Sequence, residues 1–175
     1  DPASPWPRLL PRESPFLHVE EAKPQSVLRV EDNFGVVRGA SSFIAGHDGG
    51  AAAAGMRVDA SAPGAMPAVV YDFGREVVGR PSISIEAPRG GVLKVSYGES
   101  LELQHIDTFI LKRGAGRLEP FGRRAFRFMK LSFAATPEPV VVTDVSLTLT
   151  HYAYGPQGTF TCGNDQLERI WDVSV

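Results

Sequence analysis

The chain has 175 residues, 43% of them apolar, with 18 basic and 20 acidic side chains and a formal net charge of -2. That is room for one ordinary domain, or one domain with tails, and enough apolar mass for a core. The near balance of charge gives nucleic acid no electrostatic footprint, no run reaches the ~18–20 apolar residues of a membrane-spanning helix, and the single cysteine, Cys162, excludes an intrachain disulfide and leaves the redox compartment open.

Residues 1–25 read as a proline-rich linker. Pro2, Pro5, Pro7, Pro11, Pro15 and Pro24 fix φ and remove donors, so neither a helix nor a strand ladder is expected through them. Trp6, Leu9, Leu10, Phe16 and Leu17 are apolar for a free linker and suit strapping it to a neighbouring surface. Asp1 to Pro15 has five prolines and no apolar core of a secretory leader. The chain starts without Met, which fits a processed protein or, the favoured reading, an excised fragment.

From Gln25 the hydrophobic period becomes two. Ser26–Val30 and Gly55–Asp59 are short strand candidates, separated by a Gly/Ala-rich stretch with a turn or loop at Gly46–Gly50. Ala68–Phe73 alternates and runs into Asp-Phe-Gly. Pro81–Glu86 places Ile83 and Ile85 on one face, and Gly91–Glu99 does so for Leu93, Val95 and Tyr97. Gly90-Gly91 between them reads as a tight hairpin. Asp107–Leu111 and Phe126–Phe133 follow, and Val141–His151 sets Val141, Val145, Leu147 and Leu149 against Asp144, Ser146 and Thr148. Repeated short strands with turn signals predict an all-β antiparallel sandwich, jelly-roll or concanavalin-like, over residues 26–162. Its expected core is Ile83, Ile85, Leu93, Val95, Met129, Leu131, Val145, Leu147 and Leu149.

The last segment changes period. Asn164 or Asp165 can cap a helix over 165–174. Leu167, Ile170, Trp171 and Ser174 then fall at i, i+3, i+4 and i+7, a one-sided stripe. The chain ends while this helix, counted from residue 163, is still running.

Charges that interrupt apolar faces are the main candidates for a site. Strict alternation puts Glu99 beside Leu93, Val95 and Tyr97, and Arg127 beside Met129, Leu131 and Phe133. An inward charge is costly alone, so Glu99 and Arg127 are expected to form a structural pair that sets strand register. A ligand-binding role for the two is the alternative. Asp72–Gly74 spells DFG, yet no other kinase element accompanies it. It reads as a strand end with a turn, Asp72 capping backbone donors and Gly74 taking an unusual φ.

Gly114–Gly116 lacks the third glycine of a dinucleotide loop and reads as a hairpin turn. No cofactor is expected. The four histidines are scattered and Cys162 has no thiol partner, so no metal site is expected. Glu20-Glu21 and Glu31-Asp32 could hold calcium but read as solvated acids. There is no G-x-S-x-G elbow and no Ser/His/Asp set, and no acid pair shows a shared cleft for glycoside cleavage. Arg123, Arg124, Arg127 and Lys130 are interleaved with Phe121, Phe126 and Phe128, but alternation divides the four charges between two faces. Phe126 and Phe128 suit packing more than stacking on a sugar ring.

In order and wording, YDFGREVVGR, ISIEAPRGGVLKVSYGESLE, DTFIL and EPFGRRAFRFMKLSF resemble the β-sandwich that precedes the catalytic barrel in bacterial α-L-rhamnosidases, glycoside hydrolase family 78. The resemblance covers roughly residues 65–175. DFGREVVG looks like the family's strand-and-turn signature. YGE and GRRAFRF look like a later strand pair, although the family's usual form is closer to G-F-R-Y. GTFTCGNDQLERIWD looks like the passage into the first barrel helix, and PWPRLLPRESPFL resembles the connector from upstream sandwiches. LELQHI, between YGE and DT, is shorter than the family's loop.

The resemblance implies a non-catalytic accessory domain whose partner is an (α/α)6 barrel of the same parent chain, docked through Leu167, Ile170 and Trp171. The parent would be an inverting hydrolase releasing terminal α-L-rhamnose. No catalytic residue carries over to this chain, which is expected to be inactive alone. Carbohydrate binding by the sandwich would be weak, and neither nucleic acid nor membrane is an expected partner. Its cellular location, cytoplasmic, periplasmic or secreted, stays open. An independent sugar-binding module and a free-standing interaction domain remain as alternatives.

Overall fold

In a computed structural model the described residues are 16–46, 55–152 and 158–174. The chain divides into two compact units: residues 19–150, and a second containing residues 1–18 and 151–175.

The larger unit is built on ten strands: β1 (Leu17–Ala22, which begins in the smaller unit), β2 (Ser26–Glu31), β3 (Val36–Arg38), β4 (Met56–Asp59), β5 (Ala68–Ala87), β6 (Gly91–Gly98), β7 (His105–Leu111), β8 (Gly114–Leu118), β9 (Arg124–Ala134) and β10 (Val140–Tyr152, which ends in the smaller unit). The pairings β2–β5, β3–β4, β4–β10, β5–β8, β5–β9, β5–β10, β6–β7 and β6–β9 are all antiparallel. The 20-residue β5 joins the two layers. Its first part pairs with β2 and β9, and β9 continues through β6 to β7. Its second part pairs with β8 and β10, and β10 continues through β4 to β3. β1 lies beside β10. This is the all-β sandwich that the alternating pattern predicts.

The nine core residues expected from alternation are all buried. They pack with Val69, Tyr71, Phe73, Phe126, Phe133 and Met56 into one apolar cluster. Burying each large side chain contributes about 1.5–3 kcal/mol, which is what holds the layers together.

Four local readings need correction. The linker contains β1, because Pro15 and Pro24 bracket a proline-free stretch long enough for a strand; the expectation for residues 1–15 falls outside the described residues. Most of Gly46–Gly50 also lies outside them. Gly90-Gly91 makes a tight turn, with Gly90 N–H donating to Ala87 O at 3.3 Å, but it is no hairpin: β5 and β6 pair with β9 rather than with each other. Gly114–Gly116 is no turn either. It opens β8, whose small residues lie opposite Ile85–Ala87 of β5. DFG is not a strand end, since β5 runs through it as a bulge.

The helix α1 (Asp165–Ser174) belongs to the smaller unit. Asn164 caps it: Oδ1 accepts from Gln166 N at 3.1 Å and Leu167 N at 3.3 Å. Glu168 reaches back, its Oε1 accepting from Cys162 N at 2.8 Å and Gly163 N at 2.9 Å. The Asn164 bonds satisfy donors that the first turn leaves free, while those of Glu168 tie the incoming chain to that turn.

Candidate functional site

Polar side chains gather at the end of the sandwich where β10 passes Gly79. Register places Gly79 opposite both Arg124 of β9 and Leu149 of β10. On β9, Phe126 and Met129 are both fully buried although three residues apart, and Arg127 and Phe128 between them are not. The alternation therefore slips there. The cause is on β5: Asp72 pairs with Phe128 and Val77 with Phe126, so four β5 residues face a single β9 residue.

The slip turns Arg127 outward, and its partner is not Glu99. Arg127 Nε and Nη2 each donate at 3.0 Å to the two carboxylate oxygens of Asp72, and its guanidinium lies 5.0 Å from the centre of the Phe128 ring. Asp72 Oδ1 also accepts from Gly74 N at 2.6 Å, with Gly74 at φ +78°. The Arg127 hydrogen bonds hold the Asp72 carboxyl below the usual carboxylate range. Glu99 lies beyond the end of β6, exposed. A side chain on Gly98 would meet Ser100 O at 2.6 Å, so the chain doubles back tightly there and carries Glu99 out of the strand's alternation.

The inward pair at this end is Asp107 with Arg124. Arg124 Nε donates to Asp107 Oδ2 at 2.9 Å and Nη2 to Oδ1 at 2.8 Å, with both side chains about one-fifth exposed. These bonds depress the Asp107 pKa. Tyr97 is buried beside them, between Phe126 and His105, and burial raises its pKa far above the ordinary value. Sequence reasoning missed this pair, yet the signal was present: Asp107 alternates with Phe109 and Leu111, and Leu111 is buried. The cluster of basic residues on β9 is neutralised residue by residue, Arg124 by Asp107, Arg127 by Asp72, and Lys130 by Glu31 at 2.6 Å. Glu31 is thereby committed to Lys130 and Arg29 instead of standing solvated.

An open cleft of about 460 Å³ sits above this network, lined by Tyr97, Glu99, Ser100, Glu102, Gln104 and His105, among others. Its side chains can exchange hydrogen bonds with a hydroxylated ligand. Among the described residues they do not bring three ligand atoms together as a metal centre requires. In the smaller unit, Leu167 and Ile170 are 50% and 56% exposed, and Trp171 stacks on Phe160 at 6.4 Å.

Fold and site together define an antiparallel β-sandwich with structural ion pairs and an open polar cleft. Residues 65–148 match the family described as the bacterial α-L-rhamnosidase concanavalin-like domain. No curated protein matches the chain. Among solved structures, the family 78 rhamnosidase of Bacillus sp. GL1 is 24% identical with a TM-score of 0.54, over 63% of this chain and 12% of its own. A rhamnosidase from Klebsiella oxytoca with rhamnose bound is 17% identical with a TM-score of 0.59, over 89% of this chain and 34% of its own. The chain thus spans about a third or less of these relatives, which are larger rhamnosidases, and the likeness to them is one of fold.

Proposed function

We propose that this chain is the non-catalytic sandwich of an α-L-rhamnosidase-like glycoside hydrolase, and that its partner is an (α/α)6 catalytic barrel in the same parent protein. The match of residues 65–148 to the rhamnosidase sandwich family carries the reading. The exposed Leu167–Ile170 stripe on a capped helix supports it, because such a stripe needs a surface to cover it. In this reading Arg127–Asp72 and Arg124–Asp107 shape the sandwich end, and the acids that cleave substrate belong to the barrel. An inverting mechanism needs two carboxyl groups about 6.5–9.5 Å apart across a sugar, and this reading assigns both to the barrel.

The test is turnover of a chromogenic aryl α-L-rhamnoside by the full-length parent and by the 175-residue chain. The parent is expected to be active and the chain inactive. Turnover by the chain, abolished by Glu99→Gln or Glu102→Gln, would overturn the reading. The polar cleft favours a second reading, a weak carbohydrate-binding module. Amide shift changes confined to residues 97–105 on titration with rhamnose would support it.

A further inference from the structure

The outer face of the layer made by β2, β5, β9 and β6 carries a feature that the accessory role does not use. On β6, Lys94 and Ser96 alternate with the core residues Leu93, Val95 and Tyr97. On β9, Lys130 and Ser132 alternate with Met129, Leu131 and Phe133. Both pairs therefore turn away from the core. Register crosses them, Lys94 opposite Ser132 and Ser96 opposite Lys130, so cations and hydroxyls alternate both along and across the strands. Arg29 of β2 joins the same face, because it and Lys130 stand on either side of Val70.

The connection from β6 to β7 turns this face into a cleft. Gly98 follows Ser96 on the outer side, and a side chain there would meet Glu102 O and Leu103 Cδ2, both at 3.1 Å. Glycine thus lets residues 99–104 fold back over the strand. That segment divides its side chains. Leu101 and Leu103 line an open cleft of about 340 Å³ together with Arg29, Lys94 and Lys130. Glu99, Glu102 and Gln104 line the separate polar cleft of Tyr97 and His105. Among the described residues no acid lines the cationic cleft. Glu31, outside its lining, serves both Arg29 at 2.8 Å and Lys130 at 2.6 Å. One carboxylate is thereby shared by two cations, and Lys94 has no acidic partner among the described residues. Charges of one sign in a walled cleft reinforce one another's field. This local excess stands in a chain whose net charge is -2.

We propose that this cleft binds an acidic sugar, a uronic acid residue whose carboxylate is held by Lys94 and Lys130. An ammonium has more N–H donors than a single carboxylate contact uses, so Lys130 can serve Glu31 and a ligand together. The Ser96 and Ser132 hydroxyls line the same cleft and can exchange hydrogen bonds with ring hydroxyls. Leu101 and Leu103 offer an apolar wall to the C–H face of the ring. That the ligand is an anion follows from the cleft's charge; that it is a sugar rests on the reading of this chain as a glycoside hydrolase sandwich. Binding in so open a site is expected to be weak and sensitive to salt.

The experiment is an amide-shift titration of the 175-residue chain with sodium D-glucuronate, D-glucose and sodium sulfate at matched ionic strength. Glucuronate is expected to shift the amides of Lys94, Ser96, Lys130 and Ser132 saturably, and glucose to bind there at least about tenfold more weakly. Lys94→Gln should weaken glucuronate binding by about tenfold with Tm unchanged, whereas Lys94→Arg should retain most of it. Glu31→Gln releases Arg29 and Lys130 from their shared acid and should tighten binding several-fold. No saturable shift with glucuronate, an equal response to glucose, or indifference to both Lys94→Gln and Glu31→Gln would overturn the proposal. Sulfate binding as tightly as glucuronate would overturn the assignment to a sugar. Rhamnoside turnover by the parent is a separate readout, so failure of this site leaves the accessory-domain reading standing.

Discussion

Arg124 forks onto Asp107 with two hydrogen bonds of 2.9 and 2.8 Å, tying the start of β9 to β7, two strands separated by β6 in the sheet. The pair is mostly buried, so its loss should be felt across this end of the sandwich. Asp107→Asn is expected to cost roughly 1.5–3 kcal/mol, the range for hydrogen bonds to charged groups, read from urea unfolding.

The same pair sets a pH dependence. The folded-state pKa of Asp107 is depressed, chiefly by Arg124, and those of Asp72 and Glu31 are depressed by Arg127 and Lys130. For a carboxylate with a lowered folded pKa, the unfolded chain binds protons first. Stability is therefore full above the unfolded value of about 4 and is lost as pH falls through the folded values. Urea midpoints should fall steadily below about pH 4, and the slope should be shallower in Asp107→Asn. A wild-type midpoint that rises on acidification would contradict the assignment.

Two glycines of β5 should respond differently to alanine. Gly74 has φ +78° and a side chain there would press on the Gln25 amide, the far end of a flexible side chain. Gly74→Ala should cost roughly 1–2 kcal/mol from backbone strain. At Gly79 the obstacle is Thr148 O, a backbone atom of the neighbouring strand. Gly79→Ala must part β5 from β10, and it should be the more destabilising of the two in parallel melts.

Leu131 is fully buried on β9, opposite Val69 of β5 and Val95 of β6. Leu131→Ala should lower stability by about 2–5 kcal/mol. Exposed Leu101→Ala should change it by less than about 0.5 kcal/mol. Equal effects in chemical denaturation would mean that the strand faces are wrongly placed.

The helix offers a local test. Asn164→Ala removes the acceptor for Gln166 N and Leu167 N, at a cost of about 1 kcal/mol of helix stability. A ten-residue helix is marginal in isolation. Amide exchange at Gln166 and Leu167 should therefore accelerate by several-fold, with Ile83 unchanged.

What could be read from the chain followed from periods that one residue's neighbours impose. Alternation marked Ile83, Leu93, Leu131 and Leu147 as core, and the i, i+3, i+4 stripe with Asn164 marked 165–174 as helix. What could not be read depended on a distant strand. The extra β5 residues opposite Arg127 shift its face, and no feature of RAFRFMKLSF by itself announces that. β8 was missed because GAGRL has little apolar alternation to show, its place being set by β5 alongside it. The Glu99–Arg127 pairing rested on carrying strict alternation past the end of one strand and across a bulge in another. The Asp107–Arg124 pair satisfies the same desolvation argument with different residues.

Because one continuous strand belongs to both layers, neither layer can peel away while β5 stays whole. An opening that frees Ile83 from β10 pulls on the segment that holds Tyr71 against Met129. Tension entering along β10 from the residues that follow it would thus be shared across β5 and β9 in shear instead of unzipping a single edge. Exchange of the Val77–Gly79 amides should report the global unfolding free energy and no smaller local value.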